Sequence, residues 1–270
     1  MTWIIMPVLD NLDQSIQAIW DCLAQDVPTR VLVIDQGSSD TTRNRLRLMA
    51  DEQPRVLLWS HEPCLPSLSA SWNRALDFVW CQGEDSALVV NNDVRLDPCT
   101  VRVLVRTLVQ DHALFVTATG CDQTGWDLAH DGWDARVLTE SNLAQRGGPD
   151  FSCFLISREC HERFPFDERY VPCYCEDIDV HRQIMLAGMR TRIFSINLPF
   201  LHYASGTIKA MTPERRIALE SRIGQSRRYF AAQWGGGCNE ETYLRKGDPT
   251  SAVSDSTATT PWLQFHAKGA

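Results

Sequence analysis

The sequence predicts an α/β protein built on a mixed, mainly parallel sheet with helices on both faces. Three observations predict it. Short runs rich in Val, Ile, Leu and Trp recur at residues 2–8, 30–35, 54–60 and 86–91, each bounded by turn-forming residues, as buried strands are. Between them, apolar residues recur at helical spacing: Ile16, Ile19, Trp20 and Leu23, then Leu68, Trp72, Ala75 and Val79. Strand and helix alternate, and parallel strands need crossover helices that cover both faces of the sheet.

The later elements follow from the same signals. Pro98 opens a helix whose Val101, Leu104, Val105 and Leu108 make an apolar stripe. Residues 113–118 and 150–157 read as strands, the second followed by a short helix to Phe164. A further strand covers 190–198, and 212–233 form a helix with several arginines on its polar side. Trp20 and Trp72 are expected in the core. Between 120 and 148 the chain turns polar and carries two Gly-Trp steps, which predicts a long loop over a binding face. Trp126 and Trp133 in it either stack on a sugar or base or pin the loop to the core. Beyond the Gly235-Gly236-Gly237 run the chain is rich in Ser, Thr, Asp and Gly, which predicts a flexible tail over 235–270. The single domain then divides into a first half, 1–115, and a second, 116–234.

With 270 residues, 44% of them hydrophobic, the chain can bury a large core. The formal charge of -8 argues against a dominant nucleic-acid-binding surface. The start, Thr2 to Leu9, lacks the basic opening and long apolar segment of a signal peptide. No apolar stretch approaches the ~20 residues that span a bilayer, so no integral membrane segment and a cytoplasmic location are expected. Ten cysteines are scattered singly, none in a Cys-x-x-Cys pair, and are expected as reduced thiols acting as small apolar residues. A metal site from Cys153, Cys160, Cys173 and Cys175 would match none of the familiar zinc spacings.

Four pieces carry chemistry. The stretch Glu176-Asp177-Ile178-Asp179, closed by Arg182 and Gly188, places adjacent carboxylates where a helix begins, behind a loop holding Tyr170, Pro172 and Tyr174. Acids suit the first helical turn, whose unpaired amides carry partial positive charge; they also suit catalysis. At Val33-Ile34-Asp35-Gln36-Gly37-Ser38-Ser39-Asp40-Thr41 an apolar strand ends in an acid and a turn. Asp35 there could accept from a pyrimidine N–H or bind a ribose hydroxyl, since ligands bind at the carboxyl ends of parallel strands. Equally, the run is a plain strand-to-helix turn with Asp40 as N-cap. A third strand runs into Asn91-Asn92-Asp93, hard oxygen donors suited to Mg2+ or Mn2+ against phosphates. The fourth, His202-Tyr203-Ala204-Ser205-Gly206-Thr207, follows an apolar strand and offers a histidine and hydroxyl donors.

Together these pieces resemble the family-2 group of GT-A glycosyltransferases, closest to the rhamnosyltransferase-like branch. The resemblance runs from about Ile4 to Thr207. It includes the opening strand ending at Pro7, the turn at 35–41, the Ser71-Trp72-Asn73-Arg74-Ala75 helix, Asn91-Asn92-Asp93, Phe166-Asp167-Glu168-Arg169, Glu176-Asp177-x-Asp179 and His202. It implies a GT-A (Rossmann-like) fold, a nucleotide-diphosphate sugar donor, Mn2+ or Mg2+, and transfer with inversion to an acceptor hydroxyl. By the same resemblance Asp177 is the base, and Glu176 either shapes its charge or contacts the acceptor. Pro7, Asp35, Asp40, Asn73 and Asn92 hold the nucleotide; Asp93, His202 and Asn91 hold the metal; Trp126, Trp133 and Asp150 face the acceptor. The first half of the chain becomes the nucleotide-sugar half, the second the acceptor half. One position departs from the pattern: the family's metal motif is usually Asp-x-Asp, and Asn91 stands first here. That leaves Asp93 as its only acid and gives His202 more weight. Arg182 is expected to pair with Asp179.

Two rivals follow from the same residues. A nucleotidyltransferase normally has a Gly-rich, basic loop after its first strand, and Pro7-Val8-Leu9-Asp10-Asn11 has neither. A binding module without catalysis is encouraged by Asn91 and opposed by Asp93 and Asp177. Saccharide, lipid-linked glycan and hydroxylated DNA base all remain acceptor classes.

Overall fold

The computed structural model describes residues 1–60, 63–119, 151–198, 200–203, 206–238 and 240–252. Trp126, Trp133 and Asp150 lie outside the described residues, as do 120–149 around them.

The chain opens with the expected alternation: β1 (Thr2–Val8), α1 (Leu12–Leu23), β2 (Thr29–Asp35), α2 (Asp40–Glu52), β3 (Val56–Ser60), α3 (Leu68–Cys81) and β4 (Ser86–Val90). The short β5 (Val94–Leu96), then α4 (Thr100–Gln110) and β6 (Phe115–Thr119) follow. After the undescribed stretch come β7 (Cys153–Ser157), α5 (Arg158–Arg163), α6 (Glu176–Leu186), β8 (Ile193–Asn197), β9 (Phe200–His202), α7 (Gly206–Ala210) and α8 (Pro213–Trp234). Seven strands form one sheet in the order β3-β2-β1-β4-β7-β6-β8, with β7 antiparallel to both neighbours and every other pairing parallel. β5 and β9 form a separate antiparallel ribbon.

Alternation along the strands builds the two faces. Ile4, Met6 and Val8 of β1 join Leu88 and Val90 of β4 in one apolar cluster, covered by α1, α2 and α4. Trp3, Ile5, Ala87 and Val89 point the other way, where Trp72, Ala75, Leu76 and Val79 of α3 and Val180 and Ile184 of α6 cover them. Trp72 is buried, as expected, and stacks edge-on to Phe154. Trp20 is not: it is 44% exposed. The inward stripe of α1 runs through Ser15, Ala18, Ile19 and Cys22. Small residues there let the helix approach the sheet, and Trp20 falls outside that stripe.

Three boundaries differ from expectation. The fourth helix starts at Thr100 with Cys99 as its N-cap, so Pro98 precedes the helix without entering it. Strand β8 starts after a single 3-10 turn at Arg190–Arg192. The chain after Trp234 is no flexible tail as far as Ala252. Glu241 is fully buried, Tyr243 bridges Ala252, and a 3-10 turn covers Pro249–Ser251. Specific polar contacts hold this polar segment where apolar area is lacking. Residues 253–270 lie outside the described residues. No described helix is long and apolar enough to cross a membrane.

Cys153 and Cys160 pack in clusters on opposite faces of the sheet, which rules out the four-cysteine metal site.

Burial lowers the His181 imidazole to about 4, from an ordinary 6.5. An unfolded His181 takes up a proton below about 6.5 while the folded one stays neutral, so its contribution is full above that pH and is lost toward 4. The melting temperature of His181→Phe should therefore change less steeply than wild type between pH 6.5 and 4. Parallel curves in a thermal-melt series would show that His181 does not titrate on unfolding.

Candidate active site

In an open parallel sheet the crevice lies where the strand order reverses, outside the carboxyl ends. Here that point lies between β1 and β4, since β2 and β3 continue to one side of β1 and β7, β6 and β8 to the other side of β4. Three stretches end there: the 9–11 loop after β1, and two sequence-predicted pieces, the 35–41 turn after β2 and the 91–93 turn after β4. The start of α6 reaches the same side by topology. β8 runs parallel to β6, and the two antiparallel steps through β7 make β6 parallel to β4. A helix preceding such a strand begins at the carboxyl-end side. The loop before α6 confirms the placement, because the Leu68 amide at the start of α3 donates to the Pro172 carbonyl at 2.8 Å.

Asp93 and His202 converge. The β5–β9 ribbon pairs Val94 with His202, and the Tyr203 amide donates to the Asp93 carbonyl at 2.9 Å. This brings His202 Nε2 to 3.5 Å from Asp93 Oδ1. The other carboxylate oxygen accepts from the Gly206 amide at 2.8 Å. Burial pushes the Asp93 carboxyl up, yet the His202 hydrogen bond and charge, with the Gly206 amide, hold it below the usual range. The close approach needs glycine: a Cβ on Gly206 would come within 3.0 Å of the Asp93 Cβ and collide with Gln14. Gly206 thus spends its amide on Asp93, and Ser205 lies outside the described residues.

The nucleotide-side residues fare differently. Pro7 is buried in β1 opposite Ile34, as a pocket floor would be. Asp35 is only 3% exposed; its carboxylate accepts from the Ser38 amide at 2.9 Å and from Arg43 Nε at 3.2 Å. Its charge therefore shapes the turn itself. Asp40 is the first residue of α2, with Ser39 in the N-cap position, and its side chain is 92% exposed, so it neither caps the helix nor enters the crevice. Asn92 has protein partners on both ends of its amide. It is buried, donates to Ser15 Oγ at 2.8 Å and accepts from Thr207 at 3.3 Å, locking the 91–93 turn between α1 and α7. Asn91, half-buried in that turn, donates its amide to the Ser152 carbonyl.

Asn73 is likewise a structural bracket. Its amide nitrogen donates to the Phe166 carbonyl (2.8 Å) and Glu168 Oε1 (3.1 Å), and its oxygen accepts from the Phe166 amide (3.1 Å). His161 Nε2 also meets that oxygen at 3.0 Å, while Trp80 donates to His161 Nδ1. With the ring accepting at Nδ1, its proton sits on Nε2. These bonds fix the 166–169 turn to α3 and leave Asn73 no capacity for a ligand.

At α6 the two acids have separate environments. Glu176 is 3% exposed, and its Oε2 has no hydrogen-bond partner. Burial first, and the Asp177 charge second, push its carboxyl well above the usual range. This burial favours shaping its neighbour's charge over touching an acceptor. Asp177 is half-buried and accepts from the Ile178 amide at 2.8 Å. Asp179 is fully buried and does not pair with Arg182. It accepts from Trp234 Nε1 (2.7 Å), Tyr170 OH (3.1 Å), Gln183 (2.8 Å) and Lys246 Nζ (2.7 Å). Arg182 turns to Glu241 (3.6 Å), the Tyr243 carbonyl (2.7 Å) and the Trp234 ring.

Sequence reasoning missed Asp10 and Lys246. Asp10 accepts from the Ser39 amide (2.8 Å) and Arg215 (2.8 Å), so it ties the 35–41 turn to α8. Burial raises its carboxyl, but these two partners outweigh that and hold it below its usual range. Its left-handed backbone, φ 53°, was the only local oddity and has no sequence signal. Lys246 sat in a segment whose composition reads as disordered.

No protein-family model and no curated protein matches this chain. Solved structures do. TarS of S. aureus in complex with UDP-GlcNAc is 15% identical, with a TM-score of 0.53 over 84% of this chain and 66% of that one. Glucosyl-3-phosphoglycerate synthase of Mycobacterium tuberculosis, solved with Mn2+, UDP and glucosyl-3-phosphoglycerate, is 20% identical, with a TM-score of 0.53 over 83% and 80%. The mannosyltransferase PcManGT of Pyrobaculum calidifontis, with GDP-Man and Mn2+, is 17% identical, with a TM-score of 0.50 over 73% of this chain; the chain spans about half, 54%, of its length. At these identities the likeness speaks for architecture, and it agrees with the strand order and the crevice: the chain has the GT-A fold that these glycosyltransferases share.

Proposed function

We propose that this chain transfers a sugar from a nucleotide-diphosphate sugar to an acceptor hydroxyl, with inversion at the anomeric carbon. The observation that carries the reading is the meeting of Asp93 and His202 at the switch point of a GT-A sheet, from strands far apart in sequence. The order of the motifs between Ile4 and Thr207, rather than the fold likeness, supports the rhamnosyltransferase-like branch. The first half of the chain, 1–115, serves the donor and 116–234 the acceptor.

The donor set fits a hard divalent cation, Mn2+ or Mg2+. A buried carboxylate and an imidazole nitrogen face each other, and donor phosphate oxygens would complete the shell. The described residues offer two such side chains here, Asp93 and His202, and oxygens of the donor diphosphate would add to them. Bound there, the cation would neutralise charge gathering on the departing diphosphate. The protein's own residues do the rest. Asp10, Asp35 and Ser38 stiffen the rim against which the nucleoside rests. Glu176 holds its proton in a buried site, so the pair's negative charge rests on the more accessible Asp177. Asp177 takes the acceptor proton as the hydroxyl attacks opposite the leaving group.

Asp177→Asn should lower transfer by about 10²–10⁴-fold while leaving donor affinity unchanged, since it removes only the base. Sugar transfer by the folded variant at wild-type rate would remove Asp177 from the mechanism.

Asp93→Ala and His202→Ala should each weaken Mn2+-dependent binding of a nucleoside diphosphate in calorimetry. The double variant should do little worse than either, because one lost ligand already opens the shell. Equal wild-type affinity with Mn2+ and in chelator would contradict a metal role for the pair.

A further inference from the structure

Helix α6 begins in a backbone its own sequence does not favour. Tyr174 and Cys175 have φ of 78° and 74°, the left-handed region where residues with a Cβ are disfavoured. Cys175 sits in the N-cap position and makes no capping hydrogen bond. Glu176 and Asp177 follow at once, so whatever holds this turn also aims the two acids.

Part of the hold comes from the helix α8 side. Ser226 donates to the Val171 carbonyl at 3.2 Å, and Trp234 reaches Asp179. The larger part comes from the segment beyond α8. Lys246 Nζ lies 2.7 Å from Asp179 Oδ2 and 2.8 Å from Asp167 Oδ2, bridging α6 to the 166–169 turn. Glu241 and the Tyr243 carbonyl take Arg182, one turn further along α6. Cys238 Sγ packs 3.8 Å from Cys175 Sγ, against the left-handed residue itself. The segment folds back in one specific path, because a Cβ on Gly235 would strike Thr242 and Tyr243, and one on Gly236 would strike the Glu240 carbonyl.

We propose that residues 238–252 form a strap that sets the first turn of α6, with Lys246 as a positioning residue for Asp177. The inference rests on Asp177 being the base; the strap's hold on the turn can be tested without it. Asp179 is fully buried, which favours a cation partner, and among the described residues Lys246 of the strap is the one that supplies it.

Two variants separate positioning from plain stability. Lys246→Met alone leaves a buried carboxylate uncompensated, which destabilises the fold as well as the turn, so Asp179→Asn/Lys246→Met removes both charges together. In hydrogen exchange on the full chain, amides 177–180 should exchange faster in the double variant while the β1–β4 amides stay as in wild type. In transfer assays with a screened nucleotide sugar, kcat should fall about ten- to a hundredfold, as for a misplaced group, with donor KM within about twofold. Unchanged exchange at 177–180, or wild-type kcat in the folded double variant, would overturn the strap. Equal losses in kcat and donor affinity would also overturn it, by pointing to general loosening. A wild-type chain that turns over no nucleotide sugar would sink the transferase reading, and the exchange experiment would still decide the strap.

Discussion

The second half of the structure depends on one buried carboxylate. Asp179 has no exposed surface, and an isolated charge there would be prohibitively costly. Four donors from four places answer it: Tyr170 before α6, Gln183 one turn along it, Trp234 at the end of α8, and Lys246 beyond. Because each donor comes from a different segment, satisfying one side chain fixes the mutual placement of all of them. The same lysine serves Asp167, whose carboxyl burial would raise but which Arg169 and Lys246 hold far below the usual range. The 166–169 turn, α6, α8 and the strap are therefore one electrostatic unit around the small Tyr170, Cys175, Phe230 and Trp234 cluster.

The first half is held in another way. Its sheet is parallel and buried on both faces, so apolar area fixes the strands, and the polar chemistry is confined to the turns at their carboxyl ends. There, the carboxylates of Asp35 and Asp10 accept from the backbone amides of Ser38 and Ser39, and the Asn92 side chain donates to the Ser15 hydroxyl and the Asp10 carbonyl. Besides the β4–β7 pairing and the Asn73 bracket, two further links cross between halves near the crevice. Arg215 of α8 reaches Asp10, and the β5–β9 ribbon brings His202 back to Asp93. In this rim the Ser38, Ser39 and Gly206 amides are taken by the carboxylates of Asp35, Asp10 and Asp93, and the imidazole of His202 lies beside Asp93.

How much of this was legible in sequence divides along the same line. Strands β1, β2 and β4 and helix α3 were readable because their signals are local: apolar runs, helical spacing and turn residues. The convergence of Asp93 with His202 was expected from two apolar strand ends meeting above one sheet, whereas the structure achieves it through the separate antiparallel β5–β9 ribbon. What sequence could not reveal is which polar side chains face inward. Asn73 and Asn92 lie in motifs that suggest ligand contact, yet their amides are consumed by Phe166, Glu168, Ser15 and Thr207. Arg182 at three residues from Asp179 suggests an in-helix pair, but both are buried and each found a better partner from the strap. The strap itself was hidden because composition predicts order only when order comes from apolar burial. This segment is ordered by one lysine, one buried glutamate and a glycine turn.

These two modes of construction bear differently on chemistry. A site that must hold a diphosphate benefits from a stiff rim, and short-range side-chain-to-backbone bonds around buried strands supply that stiffness with little dependence on distant parts of the chain. At the start of α6 the buried Glu176 stands beside the half-buried Asp177, directly behind the left-handed turn at Tyr174 and Cys175. Local sequence does not favour that turn, so tertiary contacts must. The division follows from the physics: the turns after β1 and β2 are specified by their own short-range bonds, whereas the start of α6 borrows its geometry from Asp179 and the segments that Asp179 gathers.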